Sequence, residues 1–281
     1  MSANRILHDV TFADYLTLDG WNYSSLKVVE KSLKHYRYAL TAPRKDTAAF
    51  LLGRATDELV FTPPGKAPAS LAVYPGARRA GKEWDAFEAA NAGHVIVKEN
   101  ELATATAMRD AVWADPDARR LLDRGRAQAT LQWTHAPTGA LLKGRVDWLV
   151  LQGDPPAFVE LKSTRHIEPD AYERDAENLL YRAQTGMYAA GVEALTGTWP
   201  EVYSIVVENI APHDVVVYRV PDEILVDGWR TAEGWVRAVA EATRTGRWPG
   251  VNGGAGVREM KRAPWGMVGA EVDMSGIEGG T

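Results

Sequence analysis

Asp147, Glu160 and Lys162 stand within one stretch, GRVDWLVLQGDPPAFVELKST, which runs from Gly144 to Thr164. Side chains alternate along a strand, so Glu160 and Lys162 project to one face of FVELKST while Val159 and Leu161 project to the other. A turn containing Gly153, Pro155 and Pro156 separates this run from GRVDWLV, and antiparallel pairing about it can bring Asp147 beside Glu160 and Lys162. Two close carboxylates repel unless a cation lies between them, and such oxygen pairs bind hard divalent ions such as Mg²⁺. A lysine on the same face can hold or help deprotonate an attacking water, or stabilise a phosphorane-like transition state. Phosphodiester hydrolysis is the reaction that uses all three groups. The plainer alternative is a surface hairpin with a cross-strand salt bridge, worth well under about 1 kcal/mol.

The flanks weigh against a solvated face. Asp147 is bordered by Val146, Trp148, Leu149 and Val150, and Glu160 by Phe158, Val159 and Leu161, so both strands are expected to be buried on at least one face. Charges inside such strands need partners. Downstream, Gln184 and Tyr188 lie one helical turn apart and share a face, from which an amide and a phenol could point back at the hairpin. A core tyrosine with an incidental glutamine is the alternative for that pair taken alone.

The elements that must position these groups follow from periodicity. YSSLKVVEKSLKHYRYAL reads as a helix with Ser24 as N-cap, apolar residues at Leu26, Val29, Leu33, Tyr36 and Leu40, and a stop at Pro43. DTAAFLLGRATDELVF reads as a second helix, in which Gly53, at a cost of about 1 kcal/mol against alanine, suggests close approach of another backbone. Residues 62–76, rich in Pro, Gly and Ala, read as a loop. Helical stretches follow near 80–92 and 99–123, the latter broken at Pro116. QATLQWT, LLKGRVDWLVL and AFVELKST then form an antiparallel meander. EPDAYERDAENLLYRAQTGMYAAGVEAL reads as one long helix with a stripe of Tyr172, Ala176, Leu179, Ala183 and Met187. Two further strands, EVYSIVVE and DVVVYRV, precede an amphipathic helix from Pro221 to about Arg244. The expected architecture is one α/β domain over residues 1–250, with a mixed central sheet flanked by helices. Its helical part covers about 1–125 and its core about 126–250, and a Gly-rich tail, 251–281, is anchored around Pro264 and Trp265.

Composition bounds the chemistry. The chain of 281 residues has no cysteine, which excludes disulfides, thiolate zinc sites, iron-sulfur clusters and a Cys nucleophile. Its net charge of −5 gives no overall basic footprint. Two local basic runs stand out, Lys27, Lys31, Lys34, Arg37, Arg44 and Lys45 in one and Arg78, Arg79 and Lys82 in the other; each reads as a solvated helix face or as a phosphate track. His94, His135, His166 and His213 fall in apparent loops without zinc spacing, and read as surface residues. No apolar stretch is long enough to cross a bilayer and no signal-peptide pattern opens the chain, so an intracellular protein without a membrane partner is expected.

GRVDWLV, FVELKST and YRAQTGMY resemble the Asp, (Asp/Glu)-x-Lys and Gln-x-x-x-Tyr motifs of the PD-(D/E)XK nuclease superfamily in its RecB-like branch, and more narrowly the phage and prophage exodeoxyribonuclease VIII (RecE-type) domain. NYSSLKVVEKSLKHYRYAL, FLLGRATDELVF, ARRAGKEWDAF and WPG…REMKRAPWG extend the likeness over most of the chain. The resemblance implies a restriction-endonuclease-like core with N-terminal helical additions. It implies Mg²⁺-dependent degradation (Mn²⁺ as substitute) of linear double-stranded DNA from the 5′ end, in phage-type recombination within a bacterial host's cytoplasm. A homo-oligomeric ring and a single-strand annealing partner are implied too. Carried onto this chain, Asp147, Glu160 and the Leu161 carbonyl become metal ligands, Lys162 the catalytic lysine, and Gln184 and Tyr188 groups that position it or contact DNA. Where relatives place a metal-binding histidine four residues after a helix glycine, Asp57 follows Gly53, either as a third carboxylate ligand or as an exposed helix residue. Gln128 stands where many relatives carry an acidic residue. A catalytically silent DNA-end-binding module and a DNA endonuclease are the competing functions.

Overall fold

The computed structural model describes residues 4–42, 46–62, 68, 70–253 and 256–260. A short strand β1 (Arg5–Leu7) is followed by α1 (Phe12–Thr17), whose N-terminus is capped by Thr11, and by α2 (Tyr23–Leu26), capped by Asn22. The single helix expected from Ser24 is instead three pieces: α2, a 3-10 turn over Lys27–Glu30, and α3 (Leu33–Ala39). Ser32 breaks it, because its extended backbone lets its hydroxyl cap α3 at His35 N. Pro43, Arg44 and Lys45 lie outside the described residues.

Thr47 caps α4 (Ala48–Phe61). The loop expected over 62–76 contains a strand, β2 (Leu71–Tyr74), while 63–67 and 69 lie outside the described residues. After α5 (Lys82–Ala90), β3 (Val95–Lys98) pairs with β2 in parallel, a two-stranded sheet that four-residue runs are too short to signal by periodicity. The break at Pro116 separates α6 (Glu99–Ala114) from α7 (Pro116–Leu122), with Asp115 capping the second.

The meander is β4 (Arg126–His135), β5 (Ala140–Val150) and β6 (Ala157–Thr164). The long helix expected next is two, α8 (Pro169–Asn178) and α9 (Tyr181–Thr196), because Leu180 takes a left-handed φ of 60° between them. Leu179, assigned to the apolar stripe, is exposed at that corner. Strands β7 (Glu201–Glu208) and β8 (Val215–Val220) and helix α10 (Asp222–Thr245) complete the chain order. Residues 261–281, including Pro264 and Trp265, lie outside the described residues.

Six strands form one sheet in the order β1-β4-β5-β6-β7-β8. All its pairs are antiparallel except β6–β7, which is parallel because α8 and α9 carry the chain back across the face between them. One face packs Leu131, Trp133, Leu142 and Phe158 against Met187 of α9 and Trp235 and Val239 of α10. The other packs Val159, Leu161, Ile205 and Val207 against Val60 of α4 and Met108 of α6. The result is the mixed sheet between helical layers expected for a PD-(D/E)XK core.

Gly53 does not accommodate another backbone. The nearest atom to a Cβ built there is the Ser163 hydroxyl at 4.0 Å. The backbone approach occurs elsewhere, at Gly186 and Gly228. A Cβ on the former would strike the Trp229 nitrogen and Leu225 carbonyl, and one on the latter the Arg182 carbonyl. These two glycines let α9 lie directly on α10 and so fix the helix that carries Gln184 and Tyr188.

Candidate active site

The sheet is distorted where the chemistry was expected. The β4–β5 ladder pairs Ala127 with Trp148 and Ala129 with Val146 but leaves out Gln128 and Asp147 between them. Gln128 adopts a left-handed φ of 55°, sparsely populated for a residue with a side chain. The inside-outside alternation changes over at this step: Ala129 and Val146 belong to the α9 side, Ala127 and Trp148 to the α4 side. Both Gln128 and Asp147 thereby line one cleft of about 190 Å³, together with Asp57, Arg145, Gln184 and Tyr188.

The β5–β6 ladder ends at the Trp148–Val159 pair, one step before Asp147 and Glu160. Beyond it, Asp147 Oδ2 accepts a hydrogen bond of 2.9 Å from the Leu161 backbone N–H. A side chain here takes the place of the missing ladder bond, and the splayed strands open a gap lined by carboxylates.

Glu160 is 1% exposed. Its Oε2 accepts from Lys162 Nζ at 2.9 Å and from Gln184 Nε2 at 3.0 Å, while Lys162 Nζ also donates to Gln184 Oε1 at 3.3 Å. The three side chains thus close a triangle. The other carboxylate oxygen, Glu160 Oε1, is buried without a hydrogen-bond partner. Burial, reinforced by the Asp147 charge and opposed by Lys162, pushes the Glu160 carboxyl up to about 7. Burial also raises Asp147, against the lowering pull of Lys162 and the Leu161 N–H. Burial works against the Lys162 ammonium as well, but Glu160 and Asp147 together outweigh it and hold its pKa above the ordinary lysine value. Lys162 is therefore a fixed positive charge, with its Nζ 5.1 Å from the centre of the Tyr181 ring.

The break at Leu180 serves this arrangement. The Tyr23 hydroxyl of α2 contacts the Leu179 and Leu180 carbonyls at 3.0 Å each, which pins the start of α9 beside the hairpin. Tyr188, one turn beyond Gln184, is 6% exposed, and its ring lies on Gly144 of β5. A Cβ at Gly144 would meet the ring carbons at 2.7 and 2.8 Å, so only glycine leaves the tyrosine its place. Burial, with the charge of Glu160 adding to it, keeps the Tyr188 phenol protonated far above its usual range.

Asp57 projects from α4 into the cleft beside Asp147 and is half-buried, which removes the reading of it as an exposed helix residue. Its carboxyl is raised well above the usual range by burial first and by the Asp147 charge second, with Lys162 opposing. The structure thus brings Asp57, Asp147, Glu160, Leu161, Lys162, Gln184 and Tyr188 to one place. Three side chains there were not singled out from the sequence. The Arg54 and Arg145 guanidiniums lie 4.2 and 5.6 Å from the Phe12 ring centre and line the same cleft. Burial lowers the pKa of each, and Arg145 Nε is buried without a partner. Arg145 stands two residues from Asp147 in GRVDWLV, and that spacing was the signal available.

The donor set suits a hard divalent cation. A carboxylate oxygen buried without a partner is costly, and a cation at Glu160 Oε1 removes that cost. Asp147 and Asp57, whose charges act on one another and on Glu160, supply further oxygens from the cleft. Among the described residues no group of three or more His, Asp or Glu side chains stands close enough together to hold a metal ion by itself. Asp147 and Glu160 are held in place by hydrogen bonds from the Leu161 N–H, Lys162 and Gln184.

The histidines and one basic run lie elsewhere. His135 is not in a loop or on the surface: it ends β4, is 5% exposed, and joins Thr138 Oγ1 at 2.8 Å to Glu233 Oε1 at 3.1 Å. Arg79 is neither solvated nor free for phosphate, since Glu101 and the Ile96 carbonyl hold its guanidinium.

No curated protein matches the chain. Among solved structures, one named "Putative exonuclease", from Eubacterium rectale, superposes with a TM-score of 0.60 at 13% identity, covering 91% of this chain and 97% of that one. Another, of SSO0001, covers 67% of this chain and 85% of its own at 14% identity, with a TM-score of 0.27. The first shares the fold. A family model described as a PDDEXK-like domain of unknown function (DUF3799) matches residues 22–260. The family model spans most of the chain, and the chain belongs to this PDDEXK-like family of the PD-(D/E)XK superfamily.

Proposed function

We propose that the chain is a metal-dependent exodeoxyribonuclease that degrades linear double-stranded DNA in the 5′-to-3′ direction. The observation that carries the reading is the closed triangle of Glu160, Lys162 and Gln184 beside Asp147, with Glu160 Oε1 buried and without a hydrogen-bond partner. Membership in a PDDEXK-like family and the shared fold with a protein named as an exonuclease support it.

Asp147, Glu160, the Leu161 carbonyl and Asp57 would hold Mg²⁺, or Mn²⁺ as substitute, which when bound would supply Lewis acidity toward the phosphate and the water. The chain does the rest. Lys162 Nζ carries a permanent positive charge toward the phosphoryl oxygens and the attacking water. Gln184 fixes that ammonium through its Oε1 and braces Glu160 through its Nε2. Tyr188 walls the cleft behind Gln184, and Arg54 and Arg145 present desolvated guanidiniums to the DNA backbone. Phage-type recombination in a bacterial cytoplasm, a ring of identical subunits and a single-strand annealing partner belong to the same proposal, on the motif resemblance. No helix among the described residues is long and apolar enough to cross a membrane.

Linear duplex and covalently closed circular duplex incubated with the purified protein test the reading. Mg²⁺-dependent loss of the linear form, stopped by EDTA and sparing the circle, is expected. Cleavage of the circle instead makes the protein an endonuclease. Both forms intact with Mg²⁺ and with Mn²⁺ would leave a silent DNA-end-binding module.

A further inference from the structure

A second cleft lies away from the candidate active site, between α3 and the C-terminal end of α10, and measures about 1080 Å³. Lys34, Arg37 and Arg247 line it, with Tyr38 and Trp248. Among the described residues none of these three cations has a carboxylate within ion-pairing distance. Glu241, an acid on its wall, is already bound by Arg244 at 2.7 and 2.9 Å. In a chain of net charge −5, three unpaired cations in one groove mark a place for a polyanion.

The aromatic side chains narrow the choice of polyanion. Trp248 stacks on buried Tyr36 with ring centres 6.1 Å apart and planes at 14°, and the Arg37 guanidinium lies 5.6 Å from its ring. Tyr38 stands at the rim, 72% exposed. Cations that follow a backbone, beside an aromatic face that any base can stack on, suit unpaired nucleotides; in a duplex the base faces are covered.

The groove also has a connection to the candidate site. Lys27, Lys31, Lys34 and Arg37 recur at intervals of four, three and three along the segment from α2 to α3. Lys27 lies at the end near Lys162, whose charge, after burial, lowers its pKa. The segment is held rigidly, by Tyr23 on the Leu179 and Leu180 carbonyls and by the Trp235 Nε1–H donating to Glu30 Oε1 at 2.7 Å. Of this basic run, Lys34 and Arg37 line the groove and Lys27 lies toward Lys162.

We propose that the groove between α3 and α10 binds single-stranded DNA, receiving along the Lys27–Arg37 track the strand that the nuclease leaves undigested. The proposal rests on the nuclease reading for the origin of the strand, but its binding step does not require catalysis.

Fluorescence anisotropy of a labelled oligothymidylate with the full-length protein in EDTA tests it. Tyr38→Ala, an exposed position, is expected to weaken binding about tenfold, the scale of one base stack removed. Lys34→Glu with Arg37→Glu is expected to weaken it by more and to flatten the dependence of log affinity on log salt by about 0.7 for each phosphate no longer neutralised. Unchanged oligonucleotide affinity in both groove variants overturns the proposal. So does a change confined to sedimentation, which would make the groove a contact between copies of the chain. Linear duplex left intact by the wild-type protein with Mg²⁺ sinks the nuclease reading and not the groove, because the anisotropy is read without metal.

Discussion

Asp147 Oδ2 accepts the backbone N–H of Leu161 at 2.9 Å, one residue past the point where β5 and β6 stop pairing. A carboxylate that substitutes for a ladder bond is held at fixed height above the hairpin while the strands part around it. The same splay leaves Glu160 Oε1 buried and without a partner.

Asp147→Asn retains an oxygen to accept the Leu161 N–H and removes the negative charge. The variant should fold, with a melting temperature close to wild type, while nuclease turnover falls by about 10²–10³-fold, the scale of removing one electrostatic group from a water-poor site. Thermal melts and a linear-duplex assay on one preparation check both halves. Near-normal turnover would remove Asp147 from the chemistry.

Gln184→Ala leaves Lys162 bound to Glu160 alone and releases it on the other side. Turnover should drop by about 10-fold or more while the KM for DNA changes little, since the loss is in orientation. A rise in KM with unchanged turnover would make Gln184 a DNA contact instead.

Gly144→Ala drives a methyl group into the Tyr188 ring at 2.7–2.8 Å, and overpacking of this kind costs about 1–3 kcal/mol. Denaturant unfolding should show that loss, and pairing the change with Tyr188→Leu should recover part of it. Equal losses in the single and double variants would contradict the packing relation.

The pH dependence follows from Glu160, whose carboxyl lies at about 7 when folded against an ordinary 4.5. The folded ion-free chain holds this proton more tightly than the unfolded one. The stabilisation is fully present below pH 4.5 and is lost as pH rises through about 7. Asp57, also raised, has the same sign. Melting in EDTA should therefore occur at lower temperature at about pH 8 than at about pH 6, and Mg²⁺, which competes with the proton, should stabilise more at the higher pH. Glu160→Gln should reduce both differences, and a wild-type trend of opposite sign would contradict the burial argument.

Much of this was legible in the sequence because the signals were local. The meander and the last amphipathic helix follow from periods of two and 3.6, and Asp147, Glu160, Lys162, Gln184 and Tyr188 lie on three periodic elements, β5, β6 and α9. The break at Leu180 was not legible, because what holds it is the hydroxyl of Tyr23, more than 150 residues upstream. Nor was the kink at Gln128, where no glycine marks the left-handed backbone. Strands β1, β2 and β3 span three or four residues, too few to display a period. Arg54 and Phe12 meet Arg145 only across the fold, so their convergence had no spacing to reveal it.

The most direct test of the central claim is the fate of linear duplex DNA labelled in parallel at its 5′ and 3′ ends, incubated with Mg²⁺ and either wild-type protein or Lys162→Ala. The account predicts early release of the 5′ label as short products, persistence of the 3′-labelled strand, and no release by the variant. Release of label at equal rates by wild type and Lys162→Ala, or by neither, would contradict it.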